Sequence, residues 1–129
     1  MGANKLLPVE QVAGLSTPDN AYGVFVSEAR TYVAGGLAGL RIVDVSTPST
    51  PREIGHLETP GPARGVFVSG GCAYVADGMS GLQIVDITNP DKPQELGALE
   101  TEGYAYGVVV SGAYAYVADG LSGLRLIYL

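Results

Sequence analysis

A 42-residue internal repeat runs through the chain without a single insertion. Ala21-Tyr22-Gly23 recurs as Ala63-Arg64-Gly65 and as Ala105-Tyr106-Gly107, and Gly39-Leu40 recurs as Gly81-Leu82 and Gly123-Leu124. Residues 21–45 and 63–87 are identical at 15 of 25 positions, and so are 63–87 and 105–129. A fixed period of this length means that one structural unit is stacked several times, which rules out an irregular globular fold.

Each unit resolves into short apolar runs separated by turn residues. In the first unit these are Tyr22–Ser27, Thr31–Ala34, Leu40–Val45 and Glu53–Leu57. Val, Ile, Tyr and Thr dominate them, and Gly or Pro cuts them too often for helices. Consecutive apolar residues such as Val24-Phe25-Val26 and Ile42-Val43 imply strands buried on both faces. The fourth run carries Glu53 and Glu58, and its later copy Glu95 and Glu100, as suits an exposed edge strand. Four strands in about 40–45 residues define a propeller blade. The fold expected is therefore an all-β propeller of four-stranded blades, three per chain.

The expected organisation is an N-terminal tail at 1–8, a lone outer strand at 9–15, blades at 21–57 and 63–99, and three strands of a last blade at 105–129. Val12 and Leu15 align with Ile54 and Leu57, and with Leu96 and Leu99. The spare outer strand thus stands at one end and the incomplete blade at the other. Three blades fall short of the roughly four to eight that close a ring. An open arc would expose apolar sheet faces and free edges. A two-fold homodimer forming a six-bladed ring is expected, with Val9–Leu15 completing the last blade of the other copy. A nine-bladed trimer and a piece of a longer propeller are the other possibilities.

Leu40-Arg-Ile-Val-Asp-Val45, Leu82-Gln-Ile-Val-Asp-Ile87, the Pro-containing turns after them and Tyr74-Val-Ala-Asp-Gly78 resemble the LVIVD repeat. The resemblance spans about residues 8–129 and implies a β-propeller. It implies no reaction and no catalytic residues. The third unit departs from it, with Tyr128 where Asp44 and Asp86 stand. Members of such a family are often exported or held at the cell surface.

A net charge of −6 with scattered Lys and Arg disfavours nucleic acid and anionic membranes as partners. No run approaches the ~18 apolar residues of a membrane span, and Met1–Leu7 is too short for a signal peptide. Cys72, the one cysteine, has Arg30 and Tyr114 at its equivalent positions and reads as a tolerant surface position.

No catalytic constellation emerges. Asp77-Gly78 and Asp119-Gly120 are read as turn caps, and Gly35 in the first unit breaks any ring of carboxylates that would hold a metal. A hydrolase or lyase using Asp77 and Asp119 in the axial channel is the enzymatic alternative. Asp44 and Asp86 precede Ser/Thr-x-Pro turns and read as Asx turns. His56 has no partner with metal-ligand spacing. Gly78-Met-Ser-Gly81 and Gly120-Leu-Ser-Gly123 lack the spacing of a nucleophile elbow and read as hairpins. No cofactor is implied.

Two sets of positions face the ring entrance. Tyr22, Arg64 and Tyr106 share the start of the innermost strand, with Asn20 and Tyr104 beside them; they are candidates for a protein or glycan ligand, or for simple mutual packing. Leu37, Met79 and Leu121 tip the hairpins between second and third strands, either as an apolar annulus or folded back over the blade edge. The reading is a non-enzymatic oligomeric scaffold. Its alternative is a purely structural or engineered symmetric assembly unit without a ligand.

Overall fold

The computed structural model describes residues 6–129; part of the expected tail at 1–8 lies outside the described residues. Among the described residues eleven strands form three antiparallel sheets. The first holds β1 (Gly23–Ser27), β2 (Arg30–Ala34), β3 (Leu40–Asp44) and β4 (Arg52–Leu57). The second holds β5 (Gly65–Ser69), β6 (Cys72–Ala76), β7 (Leu82–Asp86) and β8 (Gln94–Leu99). The third holds β9 (Gly107–Ser111), β10 (Tyr114–Ala118) and β11 (Leu124–Tyr128), with a 3₁₀ turn at Gly120–Ser122. Strands follow one another in chain order within each sheet.

Register repeats with the sequence. Phe25 faces Tyr32 and Tyr32 faces Ile42; Phe67, Tyr74 and Ile84 do the same, as do Val109, Tyr116 and Leu126. The outer pairs β3–β4 and β7–β8 carry a bulge after Ile42 and after Ile84. Such a bulge adds one residue to the outer strand and increases its twist.

Alternation along the strands gives each sheet a leading face and a trailing face. The trailing face of the first sheet (Tyr32, Ala34, Leu40, Ile42) packs on the leading face of the second (Val66, Ala73, Val75, Val85). The trailing face of the second (Ala76 and Leu82, with Phe67, Tyr74 and Ile84) packs on the leading face of the third (Val108, Ala115, Val117). Two apolar layers between three sheets therefore make up the core. The inner strands β1, β5 and β9 are neighbours, which sets the sheets around a common axis.

Two devices join sheet to sheet. Gly36 and Ala63 exchange hydrogen bonds of 2.9 Å in both directions, and Gly78 and Ala105 exchange bonds of 3.0 and 2.9 Å. Each ties a β2–β3 type hairpin to the chain entering the next sheet. The glycines sit at φ 62° and 58°, a left-handed backbone that glycine adopts at least cost. The second device is a buried carboxylate, described below.

Residues 9–15, expected as a lone outer strand, form no β-ladder in this chain. A strand exists only against a neighbour's backbone, and among the described residues no strand pairs with this segment. Leu15 and Ala21 instead border the leading face of the first sheet.

Candidate functional site

The five residues expected at the axial entrance form one connected cluster. Tyr22, Arg64 and Tyr106 each stand one residue before an inner strand. The Arg64 guanidinium carbon lies 4.0 Å from the centre of the Tyr22 ring and 5.5 Å from that of Tyr104. Arg64 Nε donates to the Tyr104 hydroxyl at 3.1 Å. The Tyr104 and Tyr106 rings meet at 4.7 Å, and Asn20 Nδ2 donates to the Tyr22 hydroxyl at 3.3 Å. The Tyr104 hydroxyl holds Arg64 more firmly protonated, against the burial that opposes it. The arrangement offers aromatic faces around a fixed cation, with Tyr22 and Tyr106 still exposed.

Leu37, Met79 and Leu121 are exposed at the hairpin tips on the same end of the sheets. They do not fold back over the blade edge. Asp19 shapes the first tip, accepting the Leu37 N–H at 2.8 Å, and this bond holds its carboxyl below the usual range.

Asp77 and Asp119 are not local turn caps. Asp77 accepts from Thr59 Oγ1 at 2.6 Å and from the Gly61 N–H at 2.8 Å; Asp119 accepts from Thr101 Oγ1 at 2.5 Å and from the Gly103 N–H at 2.9 Å. Each carboxylate thus latches the connector arriving from the preceding sheet, 16 to 18 residues away. Both are completely buried. Burial lifts the Asp77 carboxyl above its ordinary value, against the two bonds that lower it. In the first unit Gly35 lacks the carboxylate, and Asp19, at the position of Gly61 and Gly103, supplies one from the connector side. The recurring Thr-x-Gly of the connectors was the sequence signal for this latch.

Asp44 and Asp86 are Asx turns, accepting the N–H of Ser46 at 2.8 Å and of Thr88 at 2.9 Å, which holds both carboxyls below the usual range. His56 is exposed, 3.6 Å from Glu53. Cys72 is half-buried. Among the described residues no group of three or more His, Cys, Asp or Glu side chains is placed to hold a metal ion.

A feature that motif reading missed is an apolar pocket of about 250 Å³ on the leading face of the first sheet, lined by Leu15, Ala21, Val24, Val33, Val43 and Val45 among others. These six are the repeat equivalents of Leu57, Ala63, Val66, Val75, Val85 and Ile87, which form half of the filled layer between the first two sheets. The other half of such a layer stands uncovered on the trailing face of the third sheet, as Val109, Leu124 and Leu126. Val24 is 65% exposed where Val66 and Val108 are each 7%, and Leu124 is 63% exposed where Leu40 and Leu82 are 0% and 1%. By repeat position, the two end faces correspond to the two halves of the layer that lies between consecutive sheets.

Fold, repeat and axial cluster together define a propeller-like repeat scaffold. Three consecutive LVIVD repeats cover residues 18–59, 60–101 and 102–127, and the chain belongs to the LVIVD repeat family. Among solved structures it is similar to the computationally designed Ika8 protein, with a TM-score of 0.64 and 6% identity over 84% of this chain and 33% of that one. It is also similar to the computationally designed Ika4 protein, with a TM-score of 0.57 and 8% identity over 95% of this chain and 99% of that one. The chain therefore spans a third of the length of Ika8. At these identities the likeness is one of fold. No curated protein matches the chain.

Proposed function

We propose that this protein is a non-enzymatic assembly scaffold in which a second copy closes the arc into a six-bladed ring. The observation that carries the reading is the pair of ends: a half-layer on which Val24 stands exposed beside Val33 and Val43, which are already buried, and an exposed counterpart built from Val109, Leu124 and Leu126. Six sheets fall within the usual propeller range, and two-fold symmetry makes the two junctions identical. Burying one Val or Leu side chain contributes roughly 1.5–3 kcal/mol. Val24, Val109, Leu124 and Leu126 are the side chains still exposed at a junction, and over two junctions their burial is of the same order as the ~4–15 kcal/mol that association costs. The non-enzymatic reading is supported by Asp77 and Asp119, the residues nearest to a catalytic pair, whose carboxylates hold the connectors.

A charged group at either half-layer should open the ring. Val24→Asp and Leu126→Asp, made separately, are each expected to shift the protein from two chains to one by size-exclusion chromatography. Retention of the two-chain mass in both variants contradicts the closure.

In the closed ring the shared axial position carries four tyrosines and two arginines, two copies each of Tyr22, Tyr106 and Arg64. This face suits a protein or glycan ligand, because Tyr and Arg present large surfaces with polar tips. Replacing Tyr22, Arg64 and Tyr106 by Ala is expected to leave assembly intact and to remove binding detected on a glycan array or to a purified protein ligand. Binding that survives the three substitutions removes this face from the reading.

A further inference from the structure

The sequence leads one to expect Val9–Leu15 to complete the last blade of another copy, but gives neither the direction nor the register of that pairing. Resting on the closure reading, we infer that residues 10–15 of each copy form the fourth strand of the other copy's third sheet, antiparallel to β11 and in the bulged register of β3–β4 and β7–β8.

Four observations converge on this pairing. The first is the edge itself: among the described residues no strand pairs with the outer side of β11, whereas β3 and β7 each carry a fourth strand there. The second is side-chain pattern. Val12 and Leu15 are exposed apolar residues at the positions of Ile54 and Leu57, which pack against the first core layer. The third is reach. Five residues carry the chain from Leu57 in the first sheet to Ala63 at the second, and the same number separates Leu15 from Ala21. Leu15 and Ala21 already border the leading face of the first sheet, as Leu57 and Ala63 border that of the second. The segment before Leu15 is thereby aimed at whatever sheet stacks on that face.

The fourth is the backbone bridge. Gly36–Ala63 and Gly78–Ala105 fasten successive sheets, and translation by 42 residues makes Gly120 and Ala21 the next pair. Gly120 has the same left-handed backbone, φ 58°. Neither Gly120 nor Ala21 is bridged among the described residues. A second copy supplies each with its partner.

Register then follows position by position. Leu40 faces Leu57 and Leu82 faces Leu99, so Leu124 faces Leu15 of the other copy. Arg41 faces His56 and Gln83 faces Ala98, so Arg125 faces Gly14. The bulge falls between Leu126 and Ile127, Val12 takes the extra position, and Ile127 and Tyr128 face Gln11 and Glu10. One local adjustment is required. Ala13 stands where Gly55 does, and a Cβ on Gly55 would overlap the Pro90 carbonyl oxygen, so the backbone of the turn holding Pro48 must stand well clear of the position its counterpart takes at Pro90.

Cross-linking tests the register. Cα atoms facing each other across antiparallel strands are about 4.5–5.5 Å apart, within the range a disulfide spans. In a Cys72→Ser background, Arg125→Cys with Gly14→Cys is expected to give, on oxidation, a covalent two-chain species on denaturing non-reducing gels, with near-complete loss of free thiol. Arg125→Cys with Ala13→Cys, a one-residue slip that turns the side chain to the opposite face, is expected to cross-link at least tenfold more slowly. Leu124→Cys with Leu15→Cys reads the same register from the other face if Arg125 proves necessary for folding. Two-chain native mass without a disulfide in either matched pair overturns the register and leaves ring closure standing. A disulfide formed within one chain, or one-chain native mass with no cross-link, overturns both.

Discussion

Asp77 shows how one buried carboxylate connects packing to pH. Its oxygens accept from Thr59 Oγ1 and the Gly61 N–H, and Thr59 Oγ1 also lies 3.2 Å from the Gly61 carbonyl. A protonated Asp77 donates to the Thr59 hydroxyl, which then donates to that carbonyl, so the neutral carboxyl fits the site without loss of a bond. Burial raises its pKa above 3.8 in the folded protein. A raised folded pKa means that the stability this group contributes is fully present below the unfolded value and is lost as pH rises through the folded one. Asn in its place reproduces the donor pattern of the neutral acid and does not titrate. The melting temperature of Asp77→Asn relative to the unsubstituted protein is therefore expected to rise as the pH is raised from the ordinary carboxylate range through the raised folded pKa. Asp44 and Asp86, whose pKa values are lowered, act in the opposite sense: their stability is present above the unfolded pKa and lost on acidification. Both proteins retain them, so the difference isolates Asp77. A difference independent of pH contradicts the buried, raised carboxyl. The roles of these residues were unequally legible in the sequence. Asx turns bond two residues ahead, so Asp44 and Asp86 announce themselves. The partners of Asp77 lie 16 and 18 residues back, beyond any local motif.

Strands were legible wherever their environment is encoded locally. Gly and Pro bracket each apolar run, and β1 to β11 begin and end within a residue or so of the runs read from the first unit and its copies. Consecutive apolar residues signalled a sheet covered on both sides correctly for the second sheet, which lies between the two layers, whereas Val24 and Val26 of the first sheet and Val109 of the third are exposed. Residues 9–15 carry the pattern of an outer strand and yet form no ladder, because pattern specifies which face is apolar but not whose edge is available. The axial cluster lay between these extremes. The period placed Tyr22, Arg64 and Tyr106 on one ring of positions. It did not reveal that Arg64 would bridge Tyr22 and Tyr104, since that geometry depends on the approach of consecutive sheets. Nor did motif reading find the pocket beside Val24, although the alignment of Leu15, Ala21 and Val24 with Leu57, Ala63 and Val66 contained it.

At the scale of the whole molecule the three sheets behave as consecutive wedges with two satisfied interfaces and two open ends. A repeat array gains stability from each neighbour interface, and an uncapped end presents a face made to be covered. Here the two open faces match each other, so two copies can cap one another without any separate capping element. The net charge of −6 on each copy works against association through its general field, so the proposed closure must rest on apolar contact and backbone pairing. Under the proposed closure, the axial tyrosines and arginines of two copies would stand in one collar. The most direct test is the mass of the folded, unsubstituted protein in dilute solution by multi-angle light scattering. The account predicts twice the 13.3 kDa of one chain; a monodisperse, cooperatively folded species at the mass of a single chain contradicts it.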